Sequence, residues 1–293
     1  MLFIEAAQAR SAIRHTYSQA GLDFDSNTDR ILRMGIKRDL QARRLRPNVP
    51  VPSRREPLRF IRVMRAETGS LTTAIGALLH DGSWTSSGGS FRLAETIGTD
   101  MASLCDTALK RNGRLRYLEI GAAWAGMHDP SEADGRSPQN IAGLARRYHE
   151  RLGGDVVLHM TNLTPWHAGL PKGVVEHPFI TAATLQVLET QGVAPGSIDI
   201  IYSQAAAYFE TDYPSFLRAA CRLLRPGGTL LFNHRSELAG EIDVLVARSG
   251  VRRKKRIDLG GMNGSVVCFE RDIERLPKTL AAYVPQAKVA SAR

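Results

Sequence analysis

The spacing of apolar residues divides the chain into two parts near residue 110. In the first part, apolar residues recur at helical intervals. Four prolines between Pro47 and Pro57 interrupt this pattern and mark a connection. We therefore expect a helical N-terminal region over residues 1–110 and a separate domain over residues 111–293. The predicted helical stretches of the first part are 1–45, 58–80 and about 93–110.

The second part alternates short apolar segments with longer amphipathic ones. This alternation is typical of strand–helix–strand units, in which helices cover both faces of a parallel sheet. A final pair of apolar segments around the sequence GGMN predicts an antiparallel hairpin. Ser137 precedes the first helix of this part, and we expect it to cap that helix. The predicted strands are 115–121, 155–163, 197–204, 229–234, 251–259 and 264–272, and the predicted helices are 137–154, 179–192, 212–224 and 237–248.

Composition indicates a globular protein without a membrane span. Hydrophobic residues make up 43% of the chain and charged residues 23%, which is ordinary for a folded domain. No apolar run approaches the roughly 20 residues that cross a bilayer, and the N-terminus shows no secretion signal. We therefore expect a cytoplasmic protein. Cys105, Cys221 and Cys268 lie far apart, which favours neither a zinc site nor a disulfide framework.

Positive charge is concentrated in two segments. The net charge is +10, and the stretch from Arg30 to Arg65 holds twelve basic residues against two acidic ones. A second run, Arg252–Arg256, contains five basic residues in succession. Such segments can attract nucleic acid, anionic lipid or an anionic substrate, although a solvated basic face is an equally simple interpretation. Aromatic residues are scarce around both segments, which disfavours stacking on single-stranded nucleic acid.

The first strand of the second part ends at a candidate ligand site. In a doubly wound sheet, ligands bind beyond the carboxyl ends of the strands, where the strand order reverses. Here Glu119 precedes a turn of small residues, Gly121–Gly126, interrupted by Trp124. Small residues let the backbone approach a ligand closely and present its N–H groups.

Two segments, in this order, resemble the class I S-adenosylmethionine-dependent methyltransferases. The sequence LEIGAAWAG at 118–126 resembles the family's first motif, an acid followed by a glycine-rich loop. Residues 198–234 resemble its fourth strand, the following helix, the turn at Pro226-Gly227-Gly228 and the fifth strand. The resemblance covers residues 113–272. It implies an α/β fold with a doubly wound, Rossmann-like, seven-stranded sheet whose last strand is antiparallel.

The resemblance also implies a cofactor site for S-adenosyl-L-methionine. It places Glu119 and Gly121 against the methionine portion of the cofactor, and Ser203 and Gln204 near the transferable methyl group. The full implied set is Glu119, Gly121, Ala123, Trp124, Asn162, Ser203 and Gln204.

The chain departs from the family pattern at two places in this site. Ala123 and Ala125 stand where the family usually has loop glycines. The second strand ends in Thr161 and Asn162, where the family usually has a carboxylate that binds the ribose. Two acids of the inserted loop are substitutes that we consider for this carboxylate, Asp129 and Glu132.

Candidate catalytic residues follow the fourth and fifth strands. A hydroxyl acceptor requires a general base, and His234 and Tyr208 lie at the positions where such a base is expected. Four potential metal ligands lie in one loop, but a solvated loop is the simpler interpretation, and we expect no metal. These four residues are His128, Asp129, Glu132 and Asp134.

The sequence favours methylation of a small-molecule hydroxyl, with a sugar or glycolipid as the first choice. The helical N-terminal region is suited to close over such an acceptor. One alternative is an RNA methyltransferase that grips phosphates with residues 30–65. Another is a catalytically degenerate binding protein with the same fold. The identity of the acceptor, the oligomeric state and the pathway do not follow from the sequence.

Overall fold

A computed structural model describes residues 4–43, 56–68, 71–79, 91–122, 137–152, 155–166, 170–204, 206–260 and 264–272. Its N-terminal part is helical, as the apolar spacing predicts. The single helix expected near 93–110 is divided in two, because Gly98 adopts a positive φ of 66° and Asp100 caps a new helix. The α-helices described in this part are α1 (Ala6–Gln19), α2 (Ser26–Arg43), α3 (Pro57–Thr68), α4 (Leu71–Leu79), α5 (Arg92–Thr96) and α6 (Met101–Asn112).

A seven-stranded sheet forms the rest of the described fold, with the order β3-β2-β1-β4-β5-β7-β6. The pairs from β3 to β5 are parallel, while β7 runs antiparallel to both β5 and β6. The predicted doubly wound sheet with a reversed last strand is therefore confirmed. The strands are β1 (Arg114–Ile120), β2 (Asp155–Asn162), β3 (Val174–Pro178), β4 (Ile198–Ser203), β5 (Leu224–His234), β6 (Val251–Gly260) and β7 (Gly264–Arg271), and the intervening α-helices are α7 (Ile141–Arg146), α8 (Tyr213–Leu223) and α9 (Ala239–Arg248).

Apolar side chains bury both faces of the sheet. On one face, residues of β1, β4 and β5 pack with α8 and α9 around Phe216, Phe232 and Phe269. On the other face, the strands pack with α5, α6 and α7, where Phe91 contacts the rings of Tyr117 and Tyr202 edge-on. The N-terminal region thus contributes part of the core on the second face.

Several further local elements differ from the sequence-based expectation. Asn140, not Ser137, caps α7, because its side chain accepts a hydrogen bond from the Gly143 N–H. The helix expected over 179–192 is a 3₁₀ helix, Leu185–Gln191. Before this helix, the Thr184 hydroxyl accepts from the Thr181 N–H, a local bond that competes with α-helix formation. Strand β3 does not follow from the apolar pattern at all.

Helices α1 and α2 dock on the loops that follow β2 and β3. The Thr16 hydroxyl donates to the carbonyl of Phe179, at 2.9 Å. Phe179 has a positive φ of 66°, which is strained for a bulky residue. From α2, the Asp39 carboxylate accepts from both the N–H and the hydroxyl of Thr164, at 2.8 and 2.7 Å. The two helices therefore lie at the carboxyl edge of the sheet.

Replacing Asp39 with alanine should loosen this docking. The change leaves the two buried donors of Thr164 without their carboxylate, and we expect the free energy of unfolding to fall by about 2 kcal/mol. Urea denaturation measures this loss. The exposed Asp23 serves as the control, since its alanine variant should unfold like the unmodified protein. Equal stability of the two variants would contradict the docking role.

Candidate functional site

The carboxyl ends of the five parallel strands lie at one edge of the sheet. The strand order reverses between β1 and β4, because β1 lies beside β2 on one side and β4 on the other. Such a reversal opens the crevice in which doubly wound sheets bind ligands. The structure brings seven of the nine predicted site residues to this edge, whereas Ala123 and Trp124 lie outside the described residues. The seven are Glu119, Gly121, Asn162, Ser203, Gln204, Tyr208 and His234.

Glu119 is a fully buried carboxyl group with one satisfied oxygen. Its Oε2 accepts a hydrogen bond from the Tyr117 hydroxyl at 2.9 Å. Its Oε1 is buried and has no hydrogen-bond partner in the described part of the chain. Burial raises the pKa of Glu119 to about 8, and the Tyr117 hydrogen bond opposes this rise. A cationic donor at Oε1 would offset the cost of burying the charge.

Asn162 is a second buried group with one satisfied polar atom. Its Nδ2 donates to Oε1 of Glu176 on β3, at 2.6 Å. Its Oδ1 has no hydrogen-bond partner among the residues described. Glu119 pairs with Met160 in the sheet register, and side chains two residues apart on a strand share a face. Glu119 and Asn162 therefore present their acceptor oxygens on the same face of adjacent strands.

Gly121 is required by the packing of the protein itself. It has a positive φ of 76°, which glycine tolerates better than other residues. A Cβ at this position would lie 2.5 Å from the Cβ of Ala206 in the loop after β4. The Gly121 N–H donates to the carbonyl of Thr161, at 3.0 Å. This glycine therefore lets the ends of β1, β2 and β4 approach one another.

Ser203 and Gln204 hold the loop after β4 in place. The Ser203 hydroxyl accepts from the Ala207 N–H at 3.0 Å and donates to the carbonyl of Ile120 at 3.4 Å. Gln204 accepts from the Tyr202 hydroxyl through Oε1, at 3.1 Å. Both side chains are buried at the edge of the sheet, and the Ser203 contacts tie the loop after β4 to the end of β1.

His234 is fully buried, and both of its ring nitrogens have partners. Its Nδ1 lies 2.7 Å from the carbonyl of Arg235, which the ring N–H can donate to. Its Nε2 lies 3.4 Å from Nη2 of Arg256 and must accept there, because a guanidinium has only donors. Burial lowers the pKa of His234, the Arg235 carbonyl opposes this shift, and the Arg256 charge lowers the pKa further. The ring is therefore held neutral and turned toward Arg256.

Gly264 leaves room for both the His234 backbone and the Tyr208 ring. A Cβ on Gly264 would lie 2.0 Å from the His234 carbonyl oxygen and 2.9 Å from Cε2 of Tyr208. The Tyr208 ring is partly buried and contacts Phe209 edge-on, with ring centroids 5.2 Å apart. The Tyr208 ring, on the short 3₁₀ helix Ala207–Phe209 after β4, therefore lies close to the backbone at the end of β5.

Acidic residues pair with the basic run Arg252–Arg256 on β6. Asp243 accepts from two of the arginines, and Glu270 pairs with one arginine and one lysine. The fifth side chain donates to a backbone carbonyl of the N-terminal region. The pairs are Arg253 and Arg256 with Asp243, Arg252 and Lys254 with Glu270, and Lys255 with Ile97. This run is therefore partly neutralised within the fold.

The candidate metal ligands at 128–134 lie outside the described residues. Within the residues that the structure does describe, no group of three or more His, Cys, Asp and Glu side chains is placed to hold a metal ion. The same part of the chain contains no helix with the length and apolar character needed to cross a membrane.

Sequence analysis missed two side chains that shape this site, Glu176 and Arg256. Glu176 lies in a strand of five residues that has no clear periodic signal. Arg256 stands out in the sequence only as part of a charged run, although its Nη2 contacts His234. An isolated acid inside an apolar segment, as in the sequence VVEHP, is the available signal for Glu176.

Comparison with known proteins gives one family match. Residues 141–232 match the family model described as a methyltransferase domain. A search of curated proteins found no significant sequence match.

Three solved structures illustrate the structural similarity. An S-adenosylmethionine-dependent methyltransferase from Mesorhizobium loti is 14% identical, with a TM-score of 0.40 over 59% of this chain and 97% of that one. The N-methyltransferase NodS from Bradyrhizobium japonicum, in complex with S-adenosylhomocysteine, is 14% identical, with a TM-score of 0.35 over 58% and 84%. The CurJ carbon methyltransferase is 12% identical, with a TM-score of 0.40 over 92% and 72%. Over residues 141–232 the chain therefore matches a methyltransferase domain, and its doubly wound strand order is the one that the resemblance implies.

Proposed function

We propose that the chain transfers a methyl group from S-adenosylmethionine to a hydroxyl oxygen of a small or lipid-linked acceptor, such as a sugar or a glycolipid. The observation that carries the cofactor part of this proposal is the pair of buried acceptors, Glu119 Oε1 and Asn162 Oδ1. The cofactor has an ammonium group and ribose hydroxyls. Both can donate hydrogen bonds to these two acceptor oxygens. When bound, it supplies an activated methyl group on a sulfonium.

In this proposal, the residues of the chain bind and orient, and they exclude water. Glu119 accepts from the ammonium in a buried environment, where a charge-assisted hydrogen bond is strong. Tyr208 orients the acceptor hydroxyl from the short 3₁₀ helix that follows β4, close to the backbone at the end of β5. His234 becomes a proton acceptor only when Arg256 releases Nε2. The N-terminal helices, docked at the same edge, form the cap over the acceptor.

An exposed surface of the N-terminal region supports an amphiphilic acceptor. Side chains four residues apart share a helix face, and α4 exposes three apolar residues at that spacing. The neighbouring helix α3 exposes three arginines. Apolar and cationic side chains together are typical of helices that lie on an anionic lipid surface. The residues are Leu71, Ile75 and Leu79 on α4, and Arg59, Arg62 and Arg65 on α3.

A binding and transfer experiment tests the proposed function. We expect calorimetry to show binding of S-adenosylhomocysteine with a Kd below about 1 mM. We also expect transfer of a labelled methyl group to a glycolipid in anionic vesicles. Tyr208→Phe should slow transfer about tenfold while leaving cofactor affinity unchanged, because the ring stays and only the hydroxyl is lost.

Two other outcomes would replace this proposal. Absence of cofactor binding would favour the degenerate, binding-only interpretation. Label transfer to RNA instead of glycolipid, with binding that weakens steeply as salt rises, would favour the nucleic-acid alternative.

A further inference from the structure

We infer that Glu176 is a positioning residue that turns the Asn162 amide oxygen toward the ribose hydroxyls of the cofactor. This inference rests on the proposed cofactor site. It assigns a role to a residue on β3, a strand that does not itself border β1.

The sheet register places the two side chains together. Glu176 pairs with Met160 and Pro178 pairs with Asn162, so Glu176 and Asn162 lie on the same face of neighbouring strands. The Asn162 Nδ2 and the Glu176 Oε1 are 2.6 Å apart. The backbone N–H of Trp166 also donates to Glu176, at 2.8 Å to Oε1 and 2.9 Å to Oε2. The turn after β2 therefore fixes the carboxylate, and the carboxylate fixes the amide.

The chemistry of the pair determines which way the amide points. An ionised carboxylate only accepts hydrogen bonds, so the NH₂ group of Asn162 must face Glu176 and its oxygen must face away. That oxygen is the buried atom for which the described residues provide no donor. A ribose diol has two hydroxyl donors. The amide oxygen, polarised by the anion on the other side of the amide, is suited to accept from one of them.

The pair also predicts that a carboxylate at position 162 would be harmful in this chain. An aspartate there would place a second carboxylate oxygen where the Asn162 Nδ2 now lies, 2.6 Å from Oε1 of Glu176, and like charges repel. A carboxylate at the end of the second strand with no acid beside it should instead strengthen ribose binding. If Glu176 is replaced by glutamine at the same time, the amide at position 176 can donate to the carboxylate at position 162. The donor and the carboxylate are then both present, with their positions exchanged.

Calorimetry with S-adenosylhomocysteine and its 2′,3′-dideoxy analogue tests the inference on the full chain. We expect Glu176→Gln to weaken binding of S-adenosylhomocysteine about tenfold, because the amide loses its fixed orientation. We expect Asn162→Asp to weaken it by about thirtyfold, and the double variant to recover to within about threefold of the unmodified protein. The dideoxy analogue should bind all four proteins with similar affinity. Thermal unfolding confirms that each variant is folded.

The two ligands separate the failure of this inference from that of the proposed function. If the unmodified protein binds S-adenosylhomocysteine but Glu176→Gln weakens both ligands equally, Glu176 has only a structural role and the inference is wrong. The inference is equally wrong if Asn162→Asp binds S-adenosylhomocysteine as tightly as the unmodified protein does. If the unmodified protein binds neither ligand, the cofactor site itself is wrong.

Discussion

Glu119→Gln is expected to weaken binding of S-adenosylhomocysteine about fiftyfold, because glutamine cannot offer a charged acceptor to the ammonium group. In the unmodified protein, the ammonium should displace the proton of Glu119, whose pKa is raised to about 8 by burial. Affinity should therefore increase as the pH rises from 6 to 8. Titrations in buffers of different ionisation enthalpy should show proton release on binding, and the glutamine variant should show none.

Among the described groups that face Glu119, two are tyrosine hydroxyls that do not titrate in this range. Tyr117 and Tyr202 face it, and burial holds the pKa of each hydroxyl well above its ordinary value. Glu210→Gln is the matched control. Glu210 is also fully buried, but its carboxylate accepts from the N–H groups of Ala183, Thr211 and Asp212. Its variant should lose stability but keep proton release. Unchanged pH dependence in Glu119→Gln would contradict the assignment.

The same raised pKa makes the ligand-free protein less stable at higher pH. The folded state keeps the Glu119 proton up to about pH 8, whereas the unfolded chain releases it near 4.5. The folded state thus binds more protons between these values, and the contribution to stability is lost as pH rises through the window. Its size is roughly 3 kcal/mol between pH 5 and 8. The difference between the unmodified protein and Glu119→Gln isolates this contribution.

Gly121→Val should reduce the free energy of unfolding by about 4 kcal/mol, through both a strained backbone and a steric clash. Gly121→Ala combined with Ala206→Gly separates these causes, because the second change removes the atom that a Cβ at 121 would meet. We expect the double variant to recover part of the stability lost in Gly121→Ala, with the cost of the positive φ remaining. Denaturant unfolding provides the measurement.

Cofactor titration completes this comparison. If Gly121→Ala keeps its stability but loses affinity for S-adenosylhomocysteine, the glycine serves ligand approach instead of strand packing. The two roles are then distinguished by one pair of variants.

The sequence predicts the central strands well because each is short, apolar and bounded by turn residues. Strands β1, β2 and β4 lie where the apolar pattern places them, and the closing hairpin follows from its turn. By contrast, β3 has only five residues and includes Glu176 and His177, so it lacks a recognisable alternation. Strand β5 begins at Leu224 and contains the proline-glycine-glycine segment that the sequence predicts as a turn before it.

The candidate site shows a similar division. The sequence predicts where strands β1 and β2 end, and it therefore predicts that Glu119 and Asn162 lie at the ligand-binding edge of the sheet. Their partners depend on the register between strands, since a shift of one residue exchanges the faces. Arg256 on β6 contacts His234 on β5, although β7 lies between these strands in the sheet, so neither residue type nor local spacing predicts the contact. Tertiary packing supplies the partner of each ring nitrogen of His234.

Strand β6 lies at the edge of the sheet and carries the basic run Arg252–Arg256, which affects how this edge can pair with another chain. An unpaired border strand offers backbone donors and acceptors to any extended chain, including another copy of the same molecule. If β6 of a second copy paired with this strand, its basic run would lie against Arg252–Arg256 of the first copy. Asp243 and Glu270 compensate this positive charge only in part. Mutual repulsion at this border should therefore keep the protein from polymerising through its sheet, even when it is concentrated.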